Sequence, residues 1–190
     1  SWISPEDWYE TNIVSQVKLI QILKKYKFIK KYIHVTTPEV YGNTKYKIKE
    51  SFNFNPSTPY AISRSTMDFH LKRYFETFNF PVIFTRTANV YGPGQQIYRI
   101  IPKALLFLNL KKKFPLHGGG SSIRSFVFID DASKATYKIA LRGKIGETYH
   151  IATNKLISIK NLIKKIFHAD RNSFKKFILI SKERTGKDHS

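Results

Sequence analysis

The sequence predicts an α/β fold in which helices connect the strands of a parallel sheet. Two observations carry this prediction. Long helical patterns alternate with short apolar runs of strand type, and proline or glycine often stands where one element gives way to the next. Parallel strands need long crossover connections, usually helices, so this order favours a parallel sheet.

The first half of the chain is expected to contain two long helices and two strands. Apolar residues recur at spacings of three and four in the first helix, which starts at Ser4 and Pro5. The second helix has Ser57 or Thr58 as its cap and Pro59 as its first residue. The predicted elements are a helix over residues 5–31, a strand over 32–35, a loop over 42–55, a helix over 60–78 and a strand over 82–84.

The pattern changes after Gln95 into a series of shorter elements. Asp130 or Asp131 is expected to cap a helix that runs to about residue 141. The other predicted elements are helices over residues 97–110 and 158–167 and strands over 114–116, 125–129 and 148–151.

The chain is strongly basic, with a formal net charge of +20. Clustered lysine and arginine attract phosphate, whether on nucleic acid, on lipid headgroups or on a small pyrophosphate ligand. The lysine pairs are spread along the chain, and no zinc pattern or aromatic RNA-binding signature accompanies them. These features favour a lysine-rich surface. A non-catalytic nucleic-acid or anion-binding module remains the alternative from a different class.

The composition argues against several other classes of protein. The absence of cysteine excludes disulfides, cysteine metal sites and thiol catalysis, and is compatible with a reducing cytoplasm. No stretch approaches the ~18 uninterrupted apolar residues that a membrane span needs, and the first residues lack a signal-peptide pattern. We therefore expect a cytoplasmic protein without a membrane partner.

Tyr60 and Arg64 are the first candidate site residues. They stand four apart at a helix start and so share one face of the helix. A free tyrosine has a pKa of about 10 and is a poor base at neutral pH. We expect the Arg64 cation and the positive helix end to lower the pKa of Tyr60. Such a base could take a proton from a sugar hydroxyl while a hydride leaves for a nicotinamide.

Thr37 and Glu39 form the second candidate, because they follow a predicted strand directly. Open parallel sheets bind ligands at the carboxyl ends of their strands. Glu39 could accept a proton there, and Thr37 could hydrogen-bond a substrate oxygen. Residues 89–94 follow the next strand in the same way. Each segment alone could be an ordinary turn, but their common order indicates one ligand-binding edge.

Together these segments resemble the extended short-chain dehydrogenase/reductase family of NAD-dependent nucleotide-sugar dehydratases, epimerases and decarboxylases. The similarity covers nearly the whole chain, and within the family the chain resembles the dTDP-glucose 4,6-dehydratase branch in particular. The segments that carry it are residues 11–14 and 37–42, Tyr60 with Ser63 and Arg64, residues 89–93, Gly118–Gly120, Arg124, Asp130 with Asp131, and residues 184–188.

The resemblance implies the C-terminal part of a Rossmann-like, doubly wound parallel sheet over residues 1–96. It implies a small α/β substrate-binding domain over 97–190, with segments around 125–151 returning to the sheet. The family's Gly-rich dinucleotide turn would precede residue 2, and Gly118–Gly120 lies far too late to serve. We therefore expect a chain that starts partway into the cofactor domain and, by itself, binds NAD poorly and does not turn over.

The resemblance also implies a lyase reaction on a nucleotide-diphosphate sugar, with NAD as the cofactor and no metal. Tyr60 would act in the oxidation of C4, with Thr37 beside it and Arg64 on the nicotinamide ribose. Glu39 would remove the C5 proton, water would leave C6, and the hydride would return to C6. The residues implied for binding the nucleotide diphosphate are Asn89, Arg99, Arg124, Asn154 and Arg184.

The family usually dimerises by pairing two helices from each subunit into a four-helix bundle. The predicted helices over residues 5–31 and 60–78 correspond to those two, so a homodimer is implied. The alternative is that their apolar faces pack only on the sheet.

Two positions depart from the dehydratase pattern. Pro38 replaces an aspartic acid that protonates the departing C6 hydroxyl, and Arg64 replaces a lysine. Arginine keeps the charge but cannot join a proton relay, because it is effectively always protonated. Epimerases usually lack a glutamate at the position of Glu39, so this residue favours elimination. An epimerase or a decarboxylase of the same family remains the alternative.

Overall fold

The computed structural model describes residues 2–44, 47–168 and 174–181. The first helix, α1, is α-helical over Pro5–Tyr9, π-helical over Glu10–Val14 and α-helical again over Ser15–Leu23. The other elements, in chain order, are β1 (Tyr32–Thr36), α2 (Pro59–Phe78), β2 (Val82–Thr87), β3 (Asn89–Tyr91), α3 (Ile100–Asn109), β4 (Phe114–His117), β5 (Ile123–Phe128), α4 (Ile129–Arg142), β6 (Thr148–Ile151), β7 (Leu156–Ser158), α5 (Ile159–Ile166), α6 (Phe174–Phe177) and β8 (Ile178–Ser181).

A parallel sheet in the order β1-β2-β6 organises one part of the molecule. Side chains alternate across a strand. One face of β2, at Val82 and Phe84, packs against Ile20 of α1 and against α2. Helix α4 packs against β2 and β6 and buries Ala132 beside Ile151. The described helices thus flank the sheet in the doubly wound α/β arrangement that the sequence predicts.

Shorter sheets follow the first one along the chain. β3 and β5 are parallel, β7 is antiparallel to β5, and β4 pairs with β8 in parallel. Helices α3 and α5 close a second core, in which Ala104 and Ile163 meet Phe114 and Leu116 of β4. The division of the chain at residues 96 and 97 into a cofactor part and a substrate part stays a prediction.

The prediction of a helix over residues 5–31 is wrong at its C-terminal end, because helical structure stops at Leu23. After Leu23 the chain turns towards the sheet. Backbone hydrogen bonds stabilise this turn, such as the one that the Tyr26 N–H donates to the Leu23 carbonyl at 3.0 Å. Lys31 then donates to the carbonyls of Ala140 and Leu141, each at 2.9 Å, at the end of α4. A contact more than a hundred residues away in sequence leaves no local signal.

Other helix starts also differ from prediction. Helix α3 begins at Ile100 instead of residue 97, with Arg99 at the cap position. Asp130 and Asp131 do not cap α4, since Phe128 holds that position and both aspartates lie in the first turn. Negative charge is favourable in a first turn, so the same residues suit either place. Ser4 stands at the cap of α1 but makes no capping hydrogen bond.

The entrance of α2 is confirmed. Thr58 accepts a hydrogen bond from the Ala61 N–H at 3.1 Å, and Pro59 is the first helical residue. Within the described part of the chain, no helix combines the length and the hydropathy needed to cross a lipid bilayer.

Candidate active site

A short turn carries Glu39 at the carboxyl end of β1. The chain leaves β1 into a 3₁₀ helix over Pro38–Tyr41, and Thr37 caps it by accepting a hydrogen bond from the Glu39 N–H at 3.2 Å. Thr37 is buried, whereas Pro38 and Glu39 are exposed. The turn therefore presents a carboxylate at the sheet edge where open α/β folds bind their ligands.

The phenol of Tyr60 meets this turn from the start of α2. Its side chain hydrogen-bonds the side chain of Thr37, and the charges of Glu39 and Arg64 both act on it. Trp8 of α1 packs edge-on against the Tyr60 ring, with 4.9 Å between the ring centroids. The structure thus brings three of the sequence-predicted residues together at one edge of the sheet.

The expectation of a lowered Tyr60 pKa is wrong. Burial of the phenol raises the pKa of Tyr60 above its ordinary value of 10.0, and the negative charge of Glu39 acts in the same direction. Arg64, the hydrogen bond with Thr37 and Arg99 lower this pKa, but they do not offset the burial. Sequence spacing reveals a nearby cation, yet it cannot reveal how deeply the tertiary fold desolvates the ring.

Arg64 lies one turn after Tyr60 and joins three elements. Its guanidinium donates to the Val35 carbonyl in β1 and to Oδ1 of Asn12 at 3.4 Å. Asn12, buried in the π-helical turn of α1, also donates to Oγ of Ser63 at 3.0 Å. The Arg64 Nε is buried and has no hydrogen-bond partner among the described residues.

Asn12 and Trp8 are neighbours of the site that the sequence did not identify as site residues. Residues 11–14 carry part of the family resemblance, but a single asparagine within a helix has no spacing that reveals its contacts. Trp8 is about one-third exposed, and an aromatic residue at a helix start is more often a packing residue.

Three of the residues predicted to bind substrate lie around Ser125. Asn89 donates from Nδ2 to the Ser125 carbonyl at 3.3 Å. Arg124 precedes Ser125 in β5. Asn154 follows Thr153, whose N–H donates to Ser125 Oγ at 3.1 Å. The backbone positions of these three residues are therefore close to Ser125, and the side chain of Asn154 accepts a hydrogen bond from Lys47 Nζ at 3.4 Å.

Arg99 acts on Tyr60 through its charge. It is exposed at the cap position of α3, and its charge reaches the Tyr60 phenol. Arg184 lies outside the described residues, so its predicted place in the site is untested. Gly118–Gly120 forms a 3₁₀ turn between β4 and β5. It opens no helix, so it is not the dinucleotide turn. Among the described residues, no group of three or more histidine, aspartate or glutamate side chains could hold a metal ion.

The fold and this site define a class of protein. Residues 1–152 match the family model described as "NAD dependent epimerase/dehydratase family", and the chain belongs to that family.

Individual relatives narrow the similarity to dehydratases. The chain is 37% identical over 171 residues to dTDP-D-glucose 4,6-dehydratase of Dictyostelium discoideum, covering 84% of this chain and 39% of the relative. It is 37% identical over 139 residues to the human dTDP-D-glucose 4,6-dehydratase, covering 73% of this chain and 40% of the relative. The chain thus spans about two fifths of the length of these curated relatives.

The solved structures that resemble the chain include both a dehydratase and an epimerase. The crystal structure of DesIV, a dTDP-glucose 4,6-dehydratase from Streptomyces venezuelae with NAD and TYD bound, matches with a TM-score of 0.91 and 28% identity, over 100% of this chain and 58% of that chain. UDP-N-acetylglucosamine 4-epimerase from Methanobrevibacter ruminantium matches with a TM-score of 0.86 and 26% identity, over 98% of this chain and 61% of that chain.

Proposed function

We propose that this protein is an NAD-dependent nucleotide-sugar 4,6-dehydratase, a lyase of the dTDP-glucose 4,6-dehydratase type. The observation that carries the proposal is the hydrogen-bonded pair of Thr37 and Tyr60, with the exposed Glu39 carboxylate on the same turn. The similarity to curated dTDP-D-glucose 4,6-dehydratases supports it.

Tyr60 carries the first step, in which the substrate is oxidised at C4. Tyr60 acts as a base only when deprotonated, and its raised pKa makes that form a minor species at neutral pH. In that form it takes the proton of the C4 hydroxyl, while the hydride on C4 leaves and the C4–O bond becomes a carbonyl. Thr37 orients the phenol by its hydrogen bond, and the Arg64 charge stabilises the tyrosinate. Bound NAD would accept this hydride from C4 and later return it to C6, and the proton that Glu39 takes up, or one exchanged with solvent, would return to C5.

Glu39 carries the second step, which requires a base on the exposed side of the turn. The new C4 carbonyl makes the C5 proton acidic, and the carboxylate removes it. A C5–C6 double bond forms as the C6–O bond breaks, and the departing oxygen must be protonated to leave as water. Pro38 has no proton to give, so a water molecule or another side chain supplies it.

The residues at the edge fit the nicotinamide half of NAD. Tyr60 and Arg64 would hold the nicotinamide ribose, and the buried Arg64 Nε is a hydrogen-bond donor without a partner among the described residues. A buried unpaired donor is costly, and a ligand oxygen would relieve that cost.

The nucleotide diphosphate of the substrate is proposed to lie across the sheet formed by β3, β5 and β7. Arginine forks and amide side chains suit phosphate and base oxygens. The proposed binding residues are Asn89, Arg99, Arg124, Asn154 and Arg184.

A homodimer is proposed to form through α1 and α2. Apolar side chains on both helices remain solvent-exposed, including Ile22 at 53% and Phe78 at 58%. Pairing two such helices from each subunit would bury them in a four-helix bundle. Light scattering after gel filtration checks this, and a monomer at micromolar concentration contradicts it. A cytoplasmic location is likewise a prediction, which cell fractionation would check.

The proposed function is tested on the protein expressed from its complete coding sequence. The protein is incubated with NAD and dTDP-glucose, and the product is identified by NMR. We expect a 4-keto-6-deoxy sugar. A C4 epimer would show an epimerase instead, and carbon dioxide release from a uronic acid substrate would show a decarboxylase. Unchanged nucleotide sugar together with salt-sensitive nucleic-acid binding would support the non-catalytic alternative.

A further inference from the structure

We propose that Tyr41 is a positioning residue for the proton-removing step and that Arg86 holds it in place from inside the protein. The proposal deepens the proposed function, because Glu39 carries that step and lies two residues before Tyr41 in the same turn.

Arg86 is a cation buried in the middle of the molecule. It lies in β2 with 1% of its surface exposed, and it pairs with Asp68 of α2, which is fully buried. Its Nε and one terminal nitrogen donate to Asp68 Oδ2 at 3.3 and 3.1 Å. A buried charge is tolerated only when such partners satisfy it.

The other terminal nitrogen of Arg86 points away from Asp68 towards the turn. It donates to Oη of Tyr41 at 2.7 Å and to the Ser51 carbonyl at 3.0 Å. The guanidinium carbon lies 4.8 to 5.2 Å from the ring centroids of Tyr41, Phe52 and Phe54. One buried side chain thus holds both the end of the turn and the loop that returns over it.

The hydroxyl of Tyr41 gathers several further contacts. It accepts a hydrogen bond from the Ser51 N–H at 3.2 Å, and it lies 3.0 Å from the Ser51 carbonyl and 3.0 Å from Nε2 of His150. Its ring is buried, with 6% of the residue exposed. The hydroxyl is therefore a fixed point that connects the turn to β2, to β6 and to the returning loop.

The Glu39 turn is held at both ends as a result. At one end Thr37 binds the Glu39 N–H and the Tyr60 side chain. At the other end Tyr41 binds Arg86. A 3₁₀ helix advances about 2 Å per residue, so Tyr41 fixes the backbone within about 4 Å of the Glu39 position. Catalytic groups must be held within fractions of an ångström, so loosening one end should misplace the carboxylate.

The close return of the loop gives an independent sign that the turn is fixed. Gly42 has a φ of +65°, and a Cβ there would lie 2.1 Å from the Asn55 carbonyl oxygen. The Asn55 N–H donates to the Val40 carbonyl at 3.0 Å. The loop therefore packs so closely against the turn that position 42 cannot hold a residue larger than glycine.

The test is Tyr41→Phe, which keeps the packed ring and removes only the hydroxyl. The matched control is Tyr149→Phe, because the Tyr149 hydroxyl also binds a backbone N–H, that of Lys144, at 2.9 Å. Both variants are made in the protein expressed from its complete coding sequence. Hydrogen exchange of the backbone amides is measured first. We expect Tyr41→Phe to speed exchange at Gly42, Ser51 and Asn55 about tenfold, and the control to leave these amides unchanged.

The second measurement separates the two chemical steps in D₂O with dTDP-glucose and NAD. Absorbance of the reduced nicotinamide reports C4 oxidation, and deuterium at C5 reports proton removal. We expect Tyr41→Phe to lower the C5 rate about tenfold, with C4 oxidation within about twofold. An equal loss in both steps, or unchanged exchange at the three amides, would overturn the proposal. If the unmodified protein gives neither signal, the proposed function fails, and the amide exchange alone then decides whether Tyr41 fixes the turn.

Discussion

Two clusters in this molecule are built from the same three chemical groups, namely a tyrosine, an arginine and a carboxylate. In the open cluster, Tyr60, Arg64 and Glu39 meet at the carboxyl end of β1, and the carboxylate is exposed. In the closed cluster, formed by Tyr41, Arg86 and Asp68, the groups are all buried. The two clusters share the short turn over Pro38–Tyr41, which carries a member of each.

The difference between them lies in how completely the guanidinium of each arginine is hydrogen-bonded. In the closed cluster, all three guanidinium nitrogens of Arg86 donate to protein oxygens. In the open cluster, the buried Arg64 Nε has no partner among the described residues, and burial raises the pKa of Tyr60. An arginine whose nitrogens are all bound within the protein is suited to hold structure, whereas one with an unbound nitrogen beside an exposed carboxylate is suited to bind a ligand. The comparison predicts that removing a reacting group from the open cluster lowers the rate with little loss of stability, whereas breaking the buried ion pair of Arg86 and Asp68 in the closed cluster lowers stability most.

The largest effect is expected in the open cluster with Tyr60→Phe. This change removes the proposed base, and general bases contribute roughly 10²- to 10⁴-fold to rate. We expect kcat for the nucleotide sugar to fall by such a factor while the free energy of unfolding changes by about 1 kcal/mol or less. Steady-state kinetics measures the change in kcat, and urea unfolding measures the change in the free energy of unfolding. Activity within threefold of the unmodified protein would contradict the assignment.

The closed cluster should show the reverse pattern with Arg86→Met. Breaking this buried ion pair leaves the Asp68 carboxylate with His34 as its remaining neighbour, whose Nε2 lies 3.2 Å from Oδ1, and costs about 3–5 kcal/mol of unfolding free energy. The matched control is Arg73→Met, because Arg73 pairs with Glu76 on the surface with 75% of its side chain exposed. That loss should be about 1 kcal/mol or less. Urea unfolding measures both losses. An equal loss of unfolding free energy in the two variants would show that the buried ion pair does not stabilise the fold more than the surface pair does.

A smaller effect is expected in the pH dependence of stability. The pKa of Tyr60 is raised in the folded state. The neutral phenol therefore contributes to the free energy of unfolding, and this contribution is fully present below the pKa that Tyr60 has in the unfolded chain. That contribution is lost as the pH rises through the folded value. Between about pH 9 and 11, the unmodified protein should therefore lose more unfolding free energy than Tyr60→Phe. Urea titrations across that range check it, and a larger loss in the variant would contradict the sign.

Local signals in the sequence predict the elements that surround both clusters. The Thr58–Pro59 entrance of α2 and the apolar run that becomes β2 are complete within a few residues. The order of these elements was enough to predict a parallel sheet, and the pairing of β1 with β2 and β2 with β6 confirms it. The same local order placed Thr37, Glu39 and Tyr60 at one edge, and the structure brings them together there.

Properties that depend on distant contacts could not be predicted in this way. The closed cluster was missed because Arg86 reads as a single charge in an apolar strand, and its partners lie 18 to 45 residues away. The predicted direction of the Tyr60 pKa shift is wrong because the burial of its ring depends on residues distant in sequence, among them Trp8, which packs against it. The segment after the end of α1 at Leu23 is joined to α4 by the distant contacts of Lys31, which leave no local signal in the sequence.

The central claim is that Glu39 removes the C5 proton after Tyr60 has acted at C4. Glu39→Gln tests it most directly, because the amide keeps the size of the side chain and cannot accept the proton at neutral pH. The measurement is a single turnover with dTDP-glucose and NAD in D₂O, followed by absorbance of the reduced nicotinamide and by NMR at C5. We predict that the variant still reduces the nicotinamide but incorporates deuterium at C5 at least about a hundredfold more slowly than the unmodified protein. Deuterium incorporation at the unmodified rate would contradict the account.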